Sequence, residues 1–251
     1  MRIIDVNAAA GFWPIQAFTD RTLAEQEATS ASLGIDEVWL SAIESILFPE
    51  PDTHDRALFE RIEKFPHFRP VKTVNPLLAN WQRSLVETNG RFPLAAMKLF
   101  PNYHGYSLQS PAMAQVCATA LELSLPLLIQ MRVNDERNQP AFLQVPGVDA
   151  DEIAQLSRAF SDNLFIALCV YNGEVAALAR GSANLLLDFS FLDGCDTFVQ
   201  YEGILSMDRF VFGSHAPFLH ARAARMKLDH FELSEPTRRA IASENLLSGL
   251  K

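Results

Sequence analysis

LPLLIQMR (125–132), VDADEIAQLSRAF (148–160) and LFIALCVY (164–171) follow one another along the chain and show its basic unit. The first and third segments are apolar along most of their length, which is typical of strands buried on both faces. The middle segment offers Asp149 or Asp151 as an N-cap and repeats apolar residues at helical spacing. The stretch therefore predicts a strand, a helix and a second, parallel strand.

The same alternation runs through the rest of the sequence. Six further strand-like runs are RIIDVN (2–7), EVWLSAI (37–43), RPVKTVNP (69–76), AAMKLFP (95–101), NLLLDFS (184–190) and RFVFGSHAPF (209–218). Helix-like segments separate them, and the first, TDRTLAEQEATSASLG (19–34), offers Thr19 and Asp20 as N-caps. Eight strands that alternate with helices predict an α/β fold, a single (β/α)8 TIM barrel that occupies residues 1–251 as one domain. An open doubly wound sheet is the alternative, but no Gly-x-Gly-x-x-Gly turn follows the first strand.

The composition limits the partners and the compartment. A formal net charge of -9 without any basic run disfavours nucleic acid, and no apolar stretch reaches the roughly 20 residues that span a bilayer. The chain starts directly with a strand-like run, and Cys117, Cys169 and Cys195 show no Cys-x-x-Cys spacing, which indicates reduced thiols in the cytoplasm. We therefore expect a small-molecule substrate or ligand, and a homo-oligomer interface at the acidic loops stays open.

In a TIM barrel the functional site is built at the C-terminal ends of the strands. The loops that follow these strands supply further candidates, above all PNYHGY (101–106) and QMRVNDERNQP (130–140). The candidate positions at the strand ends are Asn7, Ala9, Ser41, Glu44, Asn75, Lys98, Gln130, Arg132, Tyr171, Asp188 and His215.

These strand ends resemble those of the amidohydrolase superfamily. The resemblance is carried by IIDVNAAAG (3–11), MKLFPNYHGYSL (97–108), LLLDFS (185–190), FVFGSHAPF (210–218) and SENLLSGL (243–250). In that family the first strand carries Asp-x-His-x-His, strands five and six end in histidines, and the eighth strand carries a metal-binding Asp within Gly-Ser-Asp-x-Pro. The resemblance implies a TIM barrel that acts as a hydrolase or decarboxylase.

The metal-ligand positions of that family hold different residues in this chain. The first strand has Asn7 and Ala9, strands five and six have Gln130 and Tyr171, and the eighth strand has His215. Alanine has no donor atom and an amide is a weak ligand for a transition metal, so only His215 keeps a good donor. We therefore expect neither a metal nor another cofactor, and the metal-activated hydroxide of the family is not expected here.

A little-studied branch of the superfamily resembles this chain more closely. The shared features are DVN (5–7), PNYHGY (101–106), GSHAPF (213–218) and an Asp-Glu-Arg triplet at 135–137. The likeness implies that the missing ligands are a feature of the branch. It does not imply a particular reaction.

His215, Asp5 and Asp188 are the candidate catalytic residues. The reference pKa of histidine lies near neutral pH, so His215 suits a general acid or base that Asp5 or Asp188 orients. Burial would raise the pKa of Asp188, while a salt bridge to Lys98 or Arg132 is the structural alternative. For His215 the alternative is a histidine that only hydrogen-bonds these carboxylates.

The predicted substrate-binding residues lie around the same strand ends. Lys98 could hold an acidic substrate or pair with Asp5, and Arg132 could clamp a carboxylate. The alternative for the charged loop is a set of surface ion pairs that stabilise little. Trp13 could form an apolar wall of the pocket or cover the top of the barrel. The full predicted set is Asn7, Trp13, Lys98, Tyr103, His104, Gln130, Arg132, Glu136 and Tyr171.

Three functions remain open on the sequence alone, because one barrel hosts many reactions. The first is a metal-independent hydrolase or lyase that acts on a small, carboxylated molecule, with His215 as the acid/base group. The second is a barrel that has lost its chemistry and binds a metabolite or a partner. The third is a metal-dependent hydrolase with an atypical ligand set of His215, His104, Asp5 and Glu136.

Overall fold

The sheet of this protein contains eight parallel strands within the described part of the chain. The computed structural model describes residues 1–18, 22–48, 50–194, 197–230 and 233–250. Three residues named above, Thr19, Asp20 and Cys195, lie outside these ranges. The strands are β1 (Ile4–Ala10), β2 (Glu37–Ala42), β3 (Phe68–Val74), β4 (Ala96–Leu99), β5 (Leu127–Gln130), β6 (Phe165–Leu168), β7 (Leu185–Asp188) and β8 (Phe210–Val211).

Each strand pairs in parallel with the next strand along the chain, from β1 to β8. The chain after β8 returns to β1, where the Val6 amide donates to the Phe212 carbonyl at 3.0 Å and Ala8 pairs with Ala216. The last strand therefore closes on the first. The predicted single (β/α)8 TIM barrel is confirmed as the fold.

Helices separate the strands and pack against the outer face of the sheet. They are α1 (Leu23–Ser32), α2 (Pro51–Ile62), α3 (Trp81–Arg91), α4 (Pro101–His104), α5 (Ala112–Glu122), α6 (Ala150–Ala159), α7 (Val175–Leu178), α8 (Ala221–His230), α9 (Glu235–Arg239) and α10 (Asn245–Gly249). A π-helical turn (Ala240–Glu244) precedes α10, and 3-10 turns lie at Glu44–Ile46, Glu136–Asn138, Ala141–Leu143, Asn172–Glu174, Val199–Tyr201 and Met207–Arg209. Within the described ranges, none of the helices is long and apolar enough to cross a membrane.

The first helix begins later than the sequence analysis predicts. Its N-cap is Thr22, whose hydroxyl accepts from the Glu25 amide at 3.2 Å, while the Glu25 carboxylate accepts from the Thr22 amide at 2.8 Å. This capping box satisfies two amides reciprocally, which a threonine followed by a glutamate at the third position allows. The N-cap of α1 is therefore Thr22, and the two candidates from the sequence, Thr19 and Asp20, lie outside the described residues.

Apolar side chains pack in two layers, one inside the barrel and one between the sheet and the helices. The interior is a filled core, so room for function is left only at the ends of the barrel. The interior cluster consists of Ile4, Val6, Trp39, Val71, Ala96, Leu128, Ile166, Leu168, Leu186, Val211 and Leu246.

Two irregularities of the backbone shape the C-terminal end of the barrel. A bulge in β1 between Asp5 and Ala8 lets Val6 pack in the interior while the next residue, Asn7, also contacts interior groups. The eighth strand is shorter than the predicted 209–218 segment, and beyond it His215 has a left-handed φ of 55°. Both irregularities change the direction of side chains that follow the strands.

Candidate functional site

Polar side chains form a ring inside the C-terminal end of the barrel, directly above the apolar core. On five strands the polar residue lies two positions beyond an interior apolar residue, and therefore points to the same side of the sheet. Every member of the ring is buried. This polar ring consists of Asn7, Ser41, Thr73, Lys98, Gln130, Cys169 and Asp188.

The centre of the polar ring is an amide that separates a cation from an anion. The Lys98 ammonium donates to Asn7 Oδ1 at 3.2 Å and to Ser41 Oγ at 3.4 Å. The same Asn7 side chain donates through Nδ2 to Asp188 Oδ2 at 2.7 Å. Burial lowers the pKa of Lys98 to about 8, although the Asp188 carboxylate opposes the change.

Asp188 accepts hydrogen bonds in the pattern of a carboxylate. Besides Asn7, the Cys169 amide donates to it at 2.8 Å and the Ser190 hydroxyl at 3.0 Å. Burial raises the pKa of Asp188, and these donors oppose that increase. The predicted salt bridge from Asp188 to Lys98 or Arg132 is replaced by the contact through Asn7, which keeps both charges close without joining them.

Cys169 belongs to the polar ring, although it is not among the site residues predicted from the sequence. Gln130 Nε2 donates to its sulfur at 2.9 Å and Asn7 Nδ2 at 3.4 Å. Its φ of 60° turns the thiol into the barrel directly after β6, whereas simple strand alternation assigns that direction to other residues. Tyr171, predicted for this place, lies two residues further on. Burial raises the pKa of the Cys169 thiol to about 12.

Two buried atoms of the polar ring have no hydrogen-bond partner among the described residues. They are the Thr73 hydroxyl oxygen and Gln130 Oε1. Such unpaired groups are uncommon in native proteins, because desolvating a polar group without a partner costs about 1–3 kcal/mol. The ring therefore has free hydrogen-bonding capacity on the two strands that flank β4 and its Lys98.

His215 lies above the polar ring with its imidazole enclosed by aromatic rings. Its Nε2 is 2.7 Å from the Val133 carbonyl, to which it donates, and its ring stacks on Phe218 and meets the edge of Phe191. Burial lowers the pKa of His215 to about 3. The prediction that Asp5 or Asp188 orients this ring is wrong, because the Val133 carbonyl takes that role.

Asp5 faces away from the polar ring, towards the helical layer. Its Oδ1 accepts from the amides of Asn7 at 3.1 Å and Ser214 at 2.9 Å, which joins the bulge of β1 to the chain after β8. Burial raises the pKa of Asp5 to about 6. These bonds hold the barrel closed, and they take the carboxylate away from the predicted pairing with Lys98 or His215.

An apolar cluster covers the polar ring and is fastened by a chain of hydrogen bonds. The Trp13 indole donates to Asn134 Oδ1 at 2.8 Å, the Asn134 amide to Gln16 at 3.0 Å, and the Gln16 amide to the Phe218 carbonyl at 3.1 Å. Both uses foreseen for Trp13 are thus compatible with its place. We call this cluster the cover; it consists of Ala9, Trp13, Phe18, Ile43, Ile46, Phe100, Val133 and Phe218.

A cavity of about 240 Å³ lies above the cover. Phe218 and Phe191, which enclose His215, also line this cavity, and Asn134 and Asp135 supply polar groups. Tyr103 packs against the cover, with its ring edge-on to Trp13 at 6.2 Å. Val133 and Phe218 thus belong both to the cover and to the lining of this cavity.

Arg132 is held by other residues of the protein. Its guanidinium bonds Glu174 and, at 3.2 Å, Glu136, and it lies 3.7 Å from the centre of the Tyr171 ring. The Tyr171 hydroxyl in turn donates to Asp135 at 2.8 Å. The predicted carboxylate clamp at Arg132 therefore has its donors occupied by the protein's own carboxylates.

His104 lies beside the cover rather than within the polar ring. Its ring is 6.0 Å from that of Phe100, centre to centre, and burial lowers its pKa to about 4. Burial also raises the pKa of Tyr103 to about 12, so the phenol stays protonated at neutral pH. Both side chains are thus neutral packing partners in this arrangement.

The donors near the polar ring do not fit a transition metal. Asn7 Oδ1 already accepts from an ammonium, Gln130 offers a neutral amide, and the Cys169 thiol is protonated at neutral pH. Among the described residues, no three His, Cys, Asp or Glu side chains come together in a way that could hold a metal ion. The atypical set of His215, His104, Asp5 and Glu136 is likewise not assembled.

This chain shares its fold with several proteins of known structure. Neither a family model nor a curated protein matches the sequence. Among solved structures, 5-carboxyvanillate decarboxylase from Sphingomonas paucimobilis is 14% identical, with 99% of this chain and 98% of that one covered and a TM-score of 0.76. A dihydroxybenzoic acid decarboxylase from a Polaromonas species, with bound manganese and 2-nitroresorcinol, has the same identity and TM-score over 99% and 96%.

A barrel from Staphylococcus aureus assigned to the amidohydrolases is 12% identical, with a TM-score of 0.74 over 100% of this chain and 99% of that one. At these identities the likeness shows a shared fold and no more. The predicted resemblance to amidohydrolase-type barrels is confirmed at that level.

Proposed function

We propose that this chain, over residues 1–251, is an amidohydrolase-type barrel that acts as a metal-independent lyase or hydrolase on a small carboxylated molecule. The observation that carries the proposal is the buried Lys98–Asn7–Asp188 arrangement at the C-terminal strand ends. This is where TIM barrels hold their active sites. The ammonium has only neutral oxygen contacts among the described residues, so its charge is available to an anionic ligand.

The chemistry of the polar ring favours a lyase. Cleavage of a carbon–carbon bond next to a carboxylate develops negative charge on the rest of the substrate, and a buried cation can stabilise this charge without a metal. Activation of water needs a base, and His215 is a weak one, because its Nε2 donates to the Val133 carbonyl and burial lowers its pKa to about 3. Two solved structures with this fold are named as decarboxylases, which agrees with the proposal.

A barrel that binds a metabolite without turnover is the second candidate. The observation that favours it is the cover, which separates the polar ring from the cavity above and keeps His215 between two aromatic rings. Binding with a measurable affinity but without product would identify this function. In that case the cover is a permanent layer of the core.

The test is a screen of the chelator-treated full chain against small hydroxybenzoates and oxo acids, which follows both carbon dioxide release and thermal stabilisation. We expect at least one carboxylate to be bound or converted by the wild type, and not by Lys98→Met. Lys64→Met is the matched control, because Lys64 is exposed. Activity that disappears with the chelator and returns with zinc or manganese would contradict the proposal.

A further inference from the structure

Lys98 is a buried lysine whose ammonium makes no ion pair among the described residues. Its side chain is 3% exposed, and its two hydrogen-bond acceptors are an amide oxygen at 3.2 Å and a hydroxyl oxygen at 3.4 Å. A buried ammonium without an anionic contact is costly, so burial shifts the equilibrium towards the neutral amine. The structure therefore keeps a potential nucleophile at the place where the fold binds substrates.

Part of the Lys98 population carries the neutral amine near neutral pH. Because burial lowers the pKa of Lys98 to about 8, about a tenth of the molecules carry the neutral amine at pH 7. Desolvated lysines of this kind attack carbonyl carbons and form imines. The ring of the cover residue Phe100 lies 5.5 Å from the nitrogen, which leaves one side of it apolar.

We propose that Lys98 is a catalytic nucleophile that forms an imine with the carbonyl carbon of a small 3-oxo acid. This deepens the proposed function and rests on it, since it names the substrate class and the group that replaces a metal. An iminium ion is a stronger acceptor of electrons than a ketone. The protein thus generates on its own lysine the positive charge that the reaction needs.

The reaction takes up one proton from solvent overall, and the water released when the imine forms is matched by the water that later hydrolyses it. The Lys98 nitrogen forms a bond to the carbonyl carbon, a proton moves from nitrogen to oxygen, and that oxygen leaves as water after a second protonation. In the resulting iminium, the bond to the carboxylate breaks, carbon dioxide leaves, and the electron pair forms an enamine. The enamine carbon then takes a proton, and water hydrolyses the imine to release a ketone and the free lysine.

The other members of the polar ring suit this reaction. The unpartnered Thr73 hydroxyl can donate to the substrate carboxylate, and the unpartnered Gln130 Oε1 can accept from the departing water. Asp188, which lies behind the Asn7 amide, supplies a negative charge near the iminium nitrogen. Thr73 and Lys98 are paired residues of β3 and β4, so both side chains start from neighbouring positions in the polar ring.

The test is to trap the imine with borohydride in the chelator-treated full chain, with 3-oxobutanoate as the probe. We expect one reduced adduct per chain, located on Lys98 by peptide mapping among the five lysines of the sequence. Lys98→Arg keeps the cation but cannot form an imine, so its adduct should disappear. Lys64→Arg, at an exposed position, should be labelled like the wild type.

Two results would overturn the inference. One is the absence of any adduct on wild-type Lys98; the other is equal labelling of wild type and Lys98→Arg, which would place the reaction on other lysines. If trapping fails while the chelated protein still binds or converts a carboxylate, the imine falls and the proposed function stands. If binding and conversion fail as well, both fall.

Discussion

The outer face of β3 and the inner face of β4 each bury a lysine, and the two are treated in opposite ways. Lys72, 2% exposed, points outward and donates to Asp52 at 2.6 Å and Asp55 at 3.3 Å. Lys98, 3% exposed, points inward and, among the described residues, meets only neutral oxygens within hydrogen-bond distance. Within the described part of the chain, the lysine of β3 is thus paired with two carboxylates and the lysine of β4 with none at contact distance.

The different contacts of Lys72 and Lys98 indicate different roles for the two side chains. Asp55, the buried partner of Lys72, also accepts from the Ser45 hydroxyl at 2.7 Å and from the Thr73 amide at 3.0 Å, so the outer pair joins α2 to β3. An arrangement of this kind contributes to structure. A lysine without a contact anion contributes little to structure, and its retention in the barrel is better explained by a role in binding or reaction.

Removal of Lys72, the lysine on the outer face of β3, should have the largest effect on stability. Lys72→Met leaves the Asp55 carboxylate buried without its cation, so we expect the free energy of unfolding to fall by about 3–5 kcal/mol. Urea denaturation at neutral pH measures this loss. Asp52→Asn, at a partner that is 38% exposed, should cost about 1 kcal/mol or less. Equal losses for the two variants would contradict the structural role of Asp55.

The second-largest effect should be a pH-dependent change in the free energy of unfolding that comes from Lys98. The pKa of folded Lys98, about 8, lies below the ordinary lysine value of 10.5, so between these values the unfolded chain binds more protons. The Lys98 contribution therefore becomes more favourable as pH rises from 8 to 10.5, by about 2–3 kcal/mol. The difference in unfolding free energy between wild type and Lys98→Met measures it. A flat difference over this range would show that Lys98 is not desolvated.

The inner lysine itself should matter less to stability than the outer one. Lys98→Met removes a desolvated ammonium but leaves Asn7 Oδ1 without its donor, and we expect a net loss of about 1 kcal/mol near pH 7. Urea denaturation beside Lys72→Met provides the comparison. Trapping or turnover should nevertheless disappear. A loss of stability as large as that of Lys72→Met would show that Lys98, like Lys72, has a structural role.

The smallest effect on stability should come from Thr73, which follows Lys72 on β3 and pairs with Lys98 on β4. Thr73→Val replaces a buried hydroxyl that has no partner among the described residues, so we expect stability to stay the same or rise by up to about 1 kcal/mol. Thermal unfolding measures this change. Trapping of the oxo acid should slow in the same variant, since the free hydroxyl is assigned to the substrate. A clear loss of stability would show that the hydroxyl already has a partner.

The barrel and part of its site follow from the sequence. Apolar strands that alternate with helices predict the fold, and the rule that sites lie at strand ends selects Asn7, Lys98, Gln130 and Asp188, all of which lie in the polar ring. Lys98, Gln130 and Asp188 continue the regular alternation of their strands, so their direction can be read from the interior residues that precede them. Asn7 was selected by the same rule, although its direction depends on the bulge in β1.

The rest of the site depends on backbone irregularities that have no local sequence signal. Cys169 enters the ring because its φ is positive, and strand alternation cannot predict this. The bulge in β1 changes which residues face inward, so Asp5 joins the strands instead of reaching His215. The carbonyl of Val133, which fixes His215, belongs to a loop whose path only the structure gives.

Lys98, unlike Lys72, has no contact anion among the described residues. This difference is tested most directly by NMR titration of the full chain with 13C at the lysine ε-carbons, in which five lysines give few signals. Lys98→Arg and Lys72→Arg assign the two buried residues. We predict that the Lys98 signal titrates with a pKa of about 8. A Lys98 signal that stays protonated up to pH 10 would contradict the account.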